Sequence, residues 1–411
     1  MRSFLSLAAL LPAVLASPFP WGPPSGGGGG GGSGKPPAKG AAAYFLKNTN
    51  TSDNQLVSMA IASDGSLGKP VLTSTGGKGA FPISTLATPA GIFFSQSIVT
   101  VGGNYLFTVN PGAGTIVMFT INTADPTDVK LVDTKSTNGD FPTSVAYSPD
   151  LELVCALNGG SKGSVQCFKV AASGLTKHGK ALPLYSGFKQ TNPPTGPVDT
   201  VTQISFNPAS TSLWVIVKGN PVTKPNPTPG KFLEYTISNG VVSSKPKISS
   251  ISDLIFNFGA SWINDETFLI SSPVFGVAGG ALVDTQGNTP RQVDNITVVG
   301  EAAVCWTAYN PLQKNGYLYD AGRTRISVVD GTTGKLLTPI EVHTPGNNGT
   351  EGGLYDTAIL DNYSYSLADP DGIVVVDLKT SKQSQYFDLT SLGTRENFQG
   401  MAVWPTTPLT S

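Results

Sequence analysis

The sequence predicts an all-β protein, a seven-bladed β-propeller whose ring is closed when the carboxy-terminal strand joins the three-stranded amino-terminal blade. Three observations predict it. No stretch shows the 3.6-residue apolar period of a helix, short β-branched and aromatic runs alternate with glycine turns, and the chain repeats itself with a base period near 47 residues. One kind of turn recurs between two strands, at Asp64-Gly65, Ala124-Asp125, Ser173-Gly174, Asn239-Gly240, Gln286-Gly287, Thr333-Gly334 and Thr380-Ser381. Measured on the second residue of each, the steps are 60, 49, 66, 47, 47 and 47. Seven markers mean seven blades.

A second marker agrees. A strand ending at a small or polar residue recurs at Asn48, Asn110, Asn158, Lys218, Ser271, Asp320 and Asp369. Inner strands precede it, as in Pro142-Thr143-Ser144-Val145-Ala146-Tyr147 and Thr202-Gln203-Ile204-Ser205-Phe206. The first repeat opens directly on its second strand at Ala41, and the missing inner strand is supplied by Phe398-Gln399-Gly400-Met401-Ala402-Val403-Trp404. Such closure leaves no free sheet edge, and a monomer is expected.

Four segments follow. Residues 1–16 carry Met1-Arg2, the apolar run Phe4 to Leu15 and the small-residue end Val14-Leu15-Ala16, the pattern of a secretory signal cleaved after Ala16. Residues 17–40 are a flexible Gly/Pro-rich leader, because the unbroken run Gly26 to Gly32 and Lys35-Pro36-Pro37 cannot bury enough surface to offset chain entropy. Residues 41–405 form the single propeller and 406–411 a tail. Elsewhere apolar runs are only a few residues long, so no transmembrane anchor is expected.

Charge narrows the partners. Twenty-six Lys and Arg face 27 Asp and Glu, and the 13% charged fraction gives no footprint for nucleic acid. A secreted glycoprotein of the extracellular space or cell wall is expected, with sequons at Asn50, Asn295, Asn348 and Asn362. In an oxidising compartment Cys155 and Cys167, on adjacent strands and symmetric about Ser161, are expected to form a disulfide, leaving Cys305 as a buried thiol.

In a four-stranded blade the connections between blades and those between strands two and three open on one face around the channel. Two proline-stiffened insertions enlarge that face, Ser186 to Asp199 and Asn220 to Gly230. Polar residues at inner-strand starts and second-strand ends are expected to point into the funnel: Asn110, Asn158, Lys218, Glu301, Asp320, Arg323, Asp356, Asp369, Asn397 and Gln399. Concentrating scarce charge there suits a small carboxylated or polyhydroxylated ligand, with Arg323 and Lys218 as anion contacts and Asn110, Asn158, Asp320 and Gln399 around it. The string Gly159-Gly160-Ser161-Lys162-Gly163 matches a nucleophile elbow but sits at a hairpin tip without a paired base. The two histidines, His178 and His343, fall near outer strands, away from the channel. Neither zinc nor any cofactor is expected; calcium on Glu301, Asp320 and Asp356 is an alternative that the spacing does not demand.

The run Tyr44-Phe45-Leu46-Lys47-Asn48 with Leu56 to Ile61 and Asp64-Gly65-Ser66-Leu67 resembles the opening blade of the lactonase family of seven-bladed propellers, and more narrowly the secreted fungal 3-carboxymuconate cyclase-like proteins. Asn104 to Asn110, Phe141 to Val145 and Asn397 to Ala402 are similar to the same family. The resemblance implies a funnel that opens or closes a lactone on a small carboxylated substrate using His with Arg and Glu. At the strand entry where those enzymes carry His, this chain has Asp199-Thr200-Val201-Thr202, with Thr at both candidate positions; Arg323 and Glu301 stand for the charged partners. Two functions are therefore expected in order. The first is surface recognition as an adhesin- or antigen-like glycoprotein binding extracellular matrix or polysaccharide. The second is a carboxymuconate cyclase-like lactonising enzyme or lactonase, with Glu301 or Asp356 as base and Arg323 and Lys218 holding the anion.

Overall fold

A computed structural model describes residues 40–85, 93–223, 225–273, 279–345 and 352–406. The expected signal at 1–16, the leader up to residue 39, the sequon at Asn348 and tail residues 407–411 lie outside the described residues.

Seven antiparallel sheets are arranged as blades. The first combines Phe398–Trp404, innermost, with Ala42–Lys47, Asp53–Ile61 and Leu67–Lys78. Pairing of Ala42 with Trp404, Tyr44 with Ala402 and Lys47 with Phe398 closes the ring. The remaining inner strands, in chain order, are Thr100–Gly102, Pro142–Ser148, Val201–Phe206, Ala260–Trp262, Val304–Asn310 and Leu354–Leu360, opening blades two to seven. The fourth blade has its outer position split between Val241–Val242 and Lys247–Ser249, both paired with Lys231–Ser238.

Blade stacking explains the sequence pattern. Middle strands such as Leu153–Asn158 and Ser212–Val217 are buried along their whole length, because each blade face is covered by a neighbouring blade. Outer strands such as Arg291–Thr297 alternate between exposed and covered residues. The recurring turn falls in the hairpin between third and fourth strands of all seven blades. In six of the seven it supplies a residue at positive φ, as Gly65 at +81° and Gly334 at +69°; the second blade's turn at Ala124-Asp125 does without one. Second strands end at Lys47, Asn110, Asn158, Val217, Ser272, Asp320 and Ala368, within one residue of the second marker.

The connection from the first blade to the second does more than join them. Its residues Ile83–Ser84 pair in parallel with Thr195–Gly196, beside the fourth blade. Residues 93–98 then reach the third, fourth, fifth and sixth blades: Ser95 Oγ donates to Thr143 O, Gln96 N to Thr202 O, Gln96 Nε2 to Ala260 O, and Trp306 Nε1 to Ser95 O. Contacts to inner strands of four blades place this segment across the central channel. Phe94 and Ser97 adopt positive φ there, 52° and 63°, an uncommon conformation held by those contacts.

Candidate functional site

Lys218 follows the second strand of the fourth blade and is 2% exposed. Its ammonium donates to Phe94 O, to Thr200 Oγ1 at 3.2 Å and to Val201 O at 3.3 Å, and lies 4.6 Å from the centre of the Phe258 ring. Burial pushes its pKa well down, while the nearby Cys305 thiol acts in the opposite direction. Three acceptors matched to three N–H donors favour the ammonium further. The expectation that Lys218 contacts a bound anion is therefore revised: the channel-crossing segment has taken its charge.

A similar revision applies at the second-strand ends. Asn110 is fully buried; its Oδ1 accepts from Thr75 Oγ1 at 2.7 Å and Asn54 Nδ2 at 3.2 Å. Asn158 donates to Thr137 O and Ser164 Oγ. Asp320 accepts from the backbone N–H groups of Ala302, Ala303 and Gly322 at 2.8, 2.8 and 2.9 Å. Asp369 accepts from Gly353 N and from the Tyr355 hydroxyl. Asn158, Asp320 and Asp369 tie a blade to the connection that enters from the previous blade, while Asn110 ties the second blade to the third and fourth strands of the first. Glycines make room for them: a Cβ at Gly77 would come 2.5 Å from Asn110 Nδ2, and one at Gly139 would meet Asn158 at the same distance. Gln399 is likewise engaged, accepting from Phe93 N and donating to Glu396 O. Asn397 Nδ2 donates to Asn48 O, across the closure of the ring.

Glu301 precedes the sixth inner strand and accepts from Val304 N at 3.3 Å. Arg323 is half-buried in the hairpin after Asp320, with its Nε shielded from solvent and unpartnered. Among the described residues no group of three or more His, Cys, Asp or Glu is placed to hold a metal, so Glu301, Asp320 and Asp356 do not form a calcium cage. Cys305 is buried on the sixth inner strand, and burial, Asp320 and Glu301 push its thiol well up, against the pull of Lys218. An inert thiol is the result.

Asp356 is different. It lies on the seventh inner strand, is 1% exposed, and accepts from Trp306 Nε1 at 3.1 Å, while Oδ2 has no partner. Burial raises its pKa to about 6, opposed by Arg395, by a hydrogen bond from Gly400 N and by Trp306. The cation acting on Asp356 is thus Arg395, not Arg323. Arg395 was not among the residues singled out from the sequence. It sits in a one-turn 3-10 helix, Arg395–Asn397, directly before the closing strand, and is 6% exposed. Its only sequence signal is scarcity, since the chain has five arginines.

The other residues expected from the sequence fall where the blades put them. Cys155 and Cys167 face each other in register and are joined by a disulfide with Cα atoms 4.0 Å apart. Ser161 tips the hairpin between them and donates to Asp140 at 2.6 Å, with no histidine beside it. Thr200 Oγ1 donates to Pro197 O at 2.7 Å, and Thr202 Oγ1 is buried without a partner. His178 lies on the third blade's outer strand against Gly240 O. Asn50 and Asn295 are exposed; Asn362 is half-buried and accepts from Gln313.

Both enlarged loops rise beside the fourth blade and are joined by Asn220 Nδ2 donating to Asp199 Oδ2 at 2.7 Å. The first of them bears an open depression of about 370 Å³ lined by Lys189, Gln190, Thr191, Thr195, Val198 and Asp199. No described helix is long and apolar enough to cross a membrane.

No family model matches the sequence, and no curated protein sequence matches it. Solved structures do. A protein from Lactobacillus plantarum is 15% identical with a TM-score of 0.61, over 89% of this chain and 99% of that one. The periplasmic gluconolactonase of Pseudomonas aeruginosa is 14% identical with a TM-score of 0.59, over 88% and 98%. A 6-phosphogluconolactonase-like protein from Bacteroides fragilis is 12% identical with a TM-score of 0.57, over 88% and 98%. At these identities the likeness is one of fold: the chain is built on the propeller scaffold that these lactonases use.

Proposed function

We propose that the chain is a secreted, glycosylated propeller that acts by recognition through its loop-bearing face, binding polysaccharide or extracellular matrix. One observation carries this reading: Lys218, Asn110, Asn158, Asp320 and Gln399, which would surround a funnel substrate, are bonded to the chain's own backbone and side chains. The same face bears the two tied insertions and an open depression on the first of them, the kind of surface on which loops carry binding. The test is saturable binding of the full chain to immobilised polysaccharides and matrix proteins. Binding lost when Asn220 to Gly230 is replaced by a short glycine-serine turn supports the reading; no saturable binding to any surface overturns it.

A second reading is favoured by Asp356. A buried carboxyl with a pKa near neutrality, beside a cation, has the properties of a general acid or base. Under this reading the chain is a lactonase or lactonising enzyme, with Asp356 moving the proton and Arg395 in the place expected of Arg323. Turnover of aldonolactones or carboxylated muconolactones that disappears in Asp356→Asn would establish it. Absence of turnover across those substrates leaves recognition as the account.

A further inference from the structure

Among the described residues the last strand of each blade keeps one unpaired edge, and such an edge invites pairing with another chain unless it is very short or carries charge. In five blades the outer strand bears an exposed lysine: Lys69, Lys130, Lys177, Lys247 and Lys382. The sixth blade's outer strand, Ile340–Glu341, is only two residues long. The fifth blade's outer strand, Arg291–Thr297, has neither protection. It runs for seven residues without a lysine, and its one cation is engaged by Asp284, whose Oδ2 lies 2.6 Å from Arg291 Nη2. Apolar residues are exposed along it instead. Val293, the extra residue of a bulge against the third strand, is 59% exposed, and Val299, just past the strand's end, is 85% exposed. Leu336 and Leu337 are exposed on the sixth blade, shortly after Gly334, where a Cβ would come 2.9 Å from Asp294 of this strand.

We infer that a glycan on Asn295 guards this edge, in the place that lysine takes on the other blades. Asn295 belongs to the sequon Asn295-Ile296-Thr297 on that same strand. Asn295 and Thr297 are exposed, whereas Ile296 between them is buried against the sixth blade, so the folded strand turns Asn295 to solvent. Val293 lies two residues away, about 7 Å along an extended strand, close enough for the glycan to overlie it. Attachment needs a lipid-pyrophosphate-linked oligosaccharide. The Asn295 Nδ2 bonds to the anomeric carbon of that donor as the carbon–oxygen bond to pyrophosphate breaks, and the amide gives up one proton. The bulky hydrated group then blocks edge-to-edge approach by a second copy of the chain. Asn50 provides the contrast, being exposed in the loop after Lys47 and off every outer strand. The inference rests on the reading of a secreted, glycosylated chain and goes beyond it by giving one sequon a task.

The test is peptide mapping of the full chain secreted from a eukaryotic host, followed by light scattering of sequon variants. Mapping should find Asn295 occupied. Asn295→Gln and Thr297→Ala, each of which removes the sequon, should raise the apparent mass about twofold or more over the wild type at equal concentration. Adding Val293→Lys to either should return it to the wild-type value, and Asn50→Gln should leave it unchanged. A bare Asn295 beside an occupied Asn50 overturns this inference alone, whereas a chain retained in the host or bare at both positions overturns the secreted, glycosylated reading with it. Wild-type mass in either strand variant, association that survives Val293→Lys, or an equal rise in Asn50→Gln overturns the edge guard. Should both strand variants fail to be secreted, enzymatic trimming of the glycans on the folded wild type decides: a chain that stays monomeric after trimming also overturns it.

Discussion

Two buried charges on either side of the channel fare differently. Lys218 at the fourth blade reaches three acceptors and a ring face, and the channel-crossing segment supplies the acceptor that the blades lack. Asp356 and Arg395, where the seventh blade meets the ring closure, keep one carboxyl oxygen and two guanidinium nitrogens unspent. Both are removed from water and both have shifted proton affinities, yet only the second pair keeps polar atoms without a partner. Burial of a charge in a propeller channel therefore does not mark a site; an unspent donor or acceptor does.

The largest effect that could break this contrast lies at Lys218. Replacing it by Ala leaves Phe94 O and Val201 O without a donor and removes the tie holding residues 93–98, and should cost about 4 kcal/mol in chemical denaturation. Limited proteolysis should then cut near Phe94. A loss below about 1 kcal/mol would mean that Lys218 is not what secures the crossing segment.

Asp356 comes next, through pH. Its carboxyl has a folded pKa of about 6 against 3.8 ordinarily, so the folded state binds the proton more tightly than the unfolded chain. The stabilisation is full below about pH 4, is lost as pH rises through about 6, and amounts to about 3 kcal/mol. Asp356→Asn should flatten that part of the stability profile. A slope that survives the substitution would assign it to another group.

A smaller effect belongs to the third blade. The Cys155–Cys167 bond closes a loop with a sequence separation of 12 residues, for which chain-entropy estimates give about 2–3 kcal/mol. Reduction, or Cys155→Ala with Cys167→Ala, should lower stability by that amount in chemical denaturation while leaving the pH dependence contributed by Asp356 intact. A change in that pH dependence would show that the two regions are coupled.

Much of the architecture was legible because it rests on local rules. A positive-φ residue in six of the seven third-to-fourth-strand hairpins puts Gly65, Gly174, Gly240, Gly287 and Gly334 in the sequence at readable intervals, and Phe398 to Trp404 completes a repeat visibly short of one strand. The position of the polar blade ends was legible too, but their task was not. Whether Asn110 or Asp320 meets solvent or a neighbouring connection depends on how the preceding linker runs, which is a long-range property. The same holds for residues 93–98, whose apolar and polar residues look like another strand entry until Phe94 O is seen against Lys218. Arg395 lies two residues before Asn397, which the strand-start rule did select. The rule failed at Arg395 because the 3-10 turn folds that side chain back over Tyr355.

The smallest expected effect is also the sharpest test of which arginine matters. Arg323 follows a second-strand end and was expected to hold an anion, yet it is half-buried and is not among the groups acting on Asp356. Its Nε is unpartnered like that of Arg395, but neither of its other guanidinium nitrogens is left bare and buried, so it offers no complete buried fork. Arg323→Ala should change stability by less than about 1 kcal/mol and leave the pH dependence contributed by Asp356 unaltered, whereas removing Arg395 should push the Asp356 carboxyl further up. Measuring stability against pH in Arg323→Ala and Arg395→Ala side by side separates the two: an equal shift of the profile in both would mean that Arg323 too acts on Asp356.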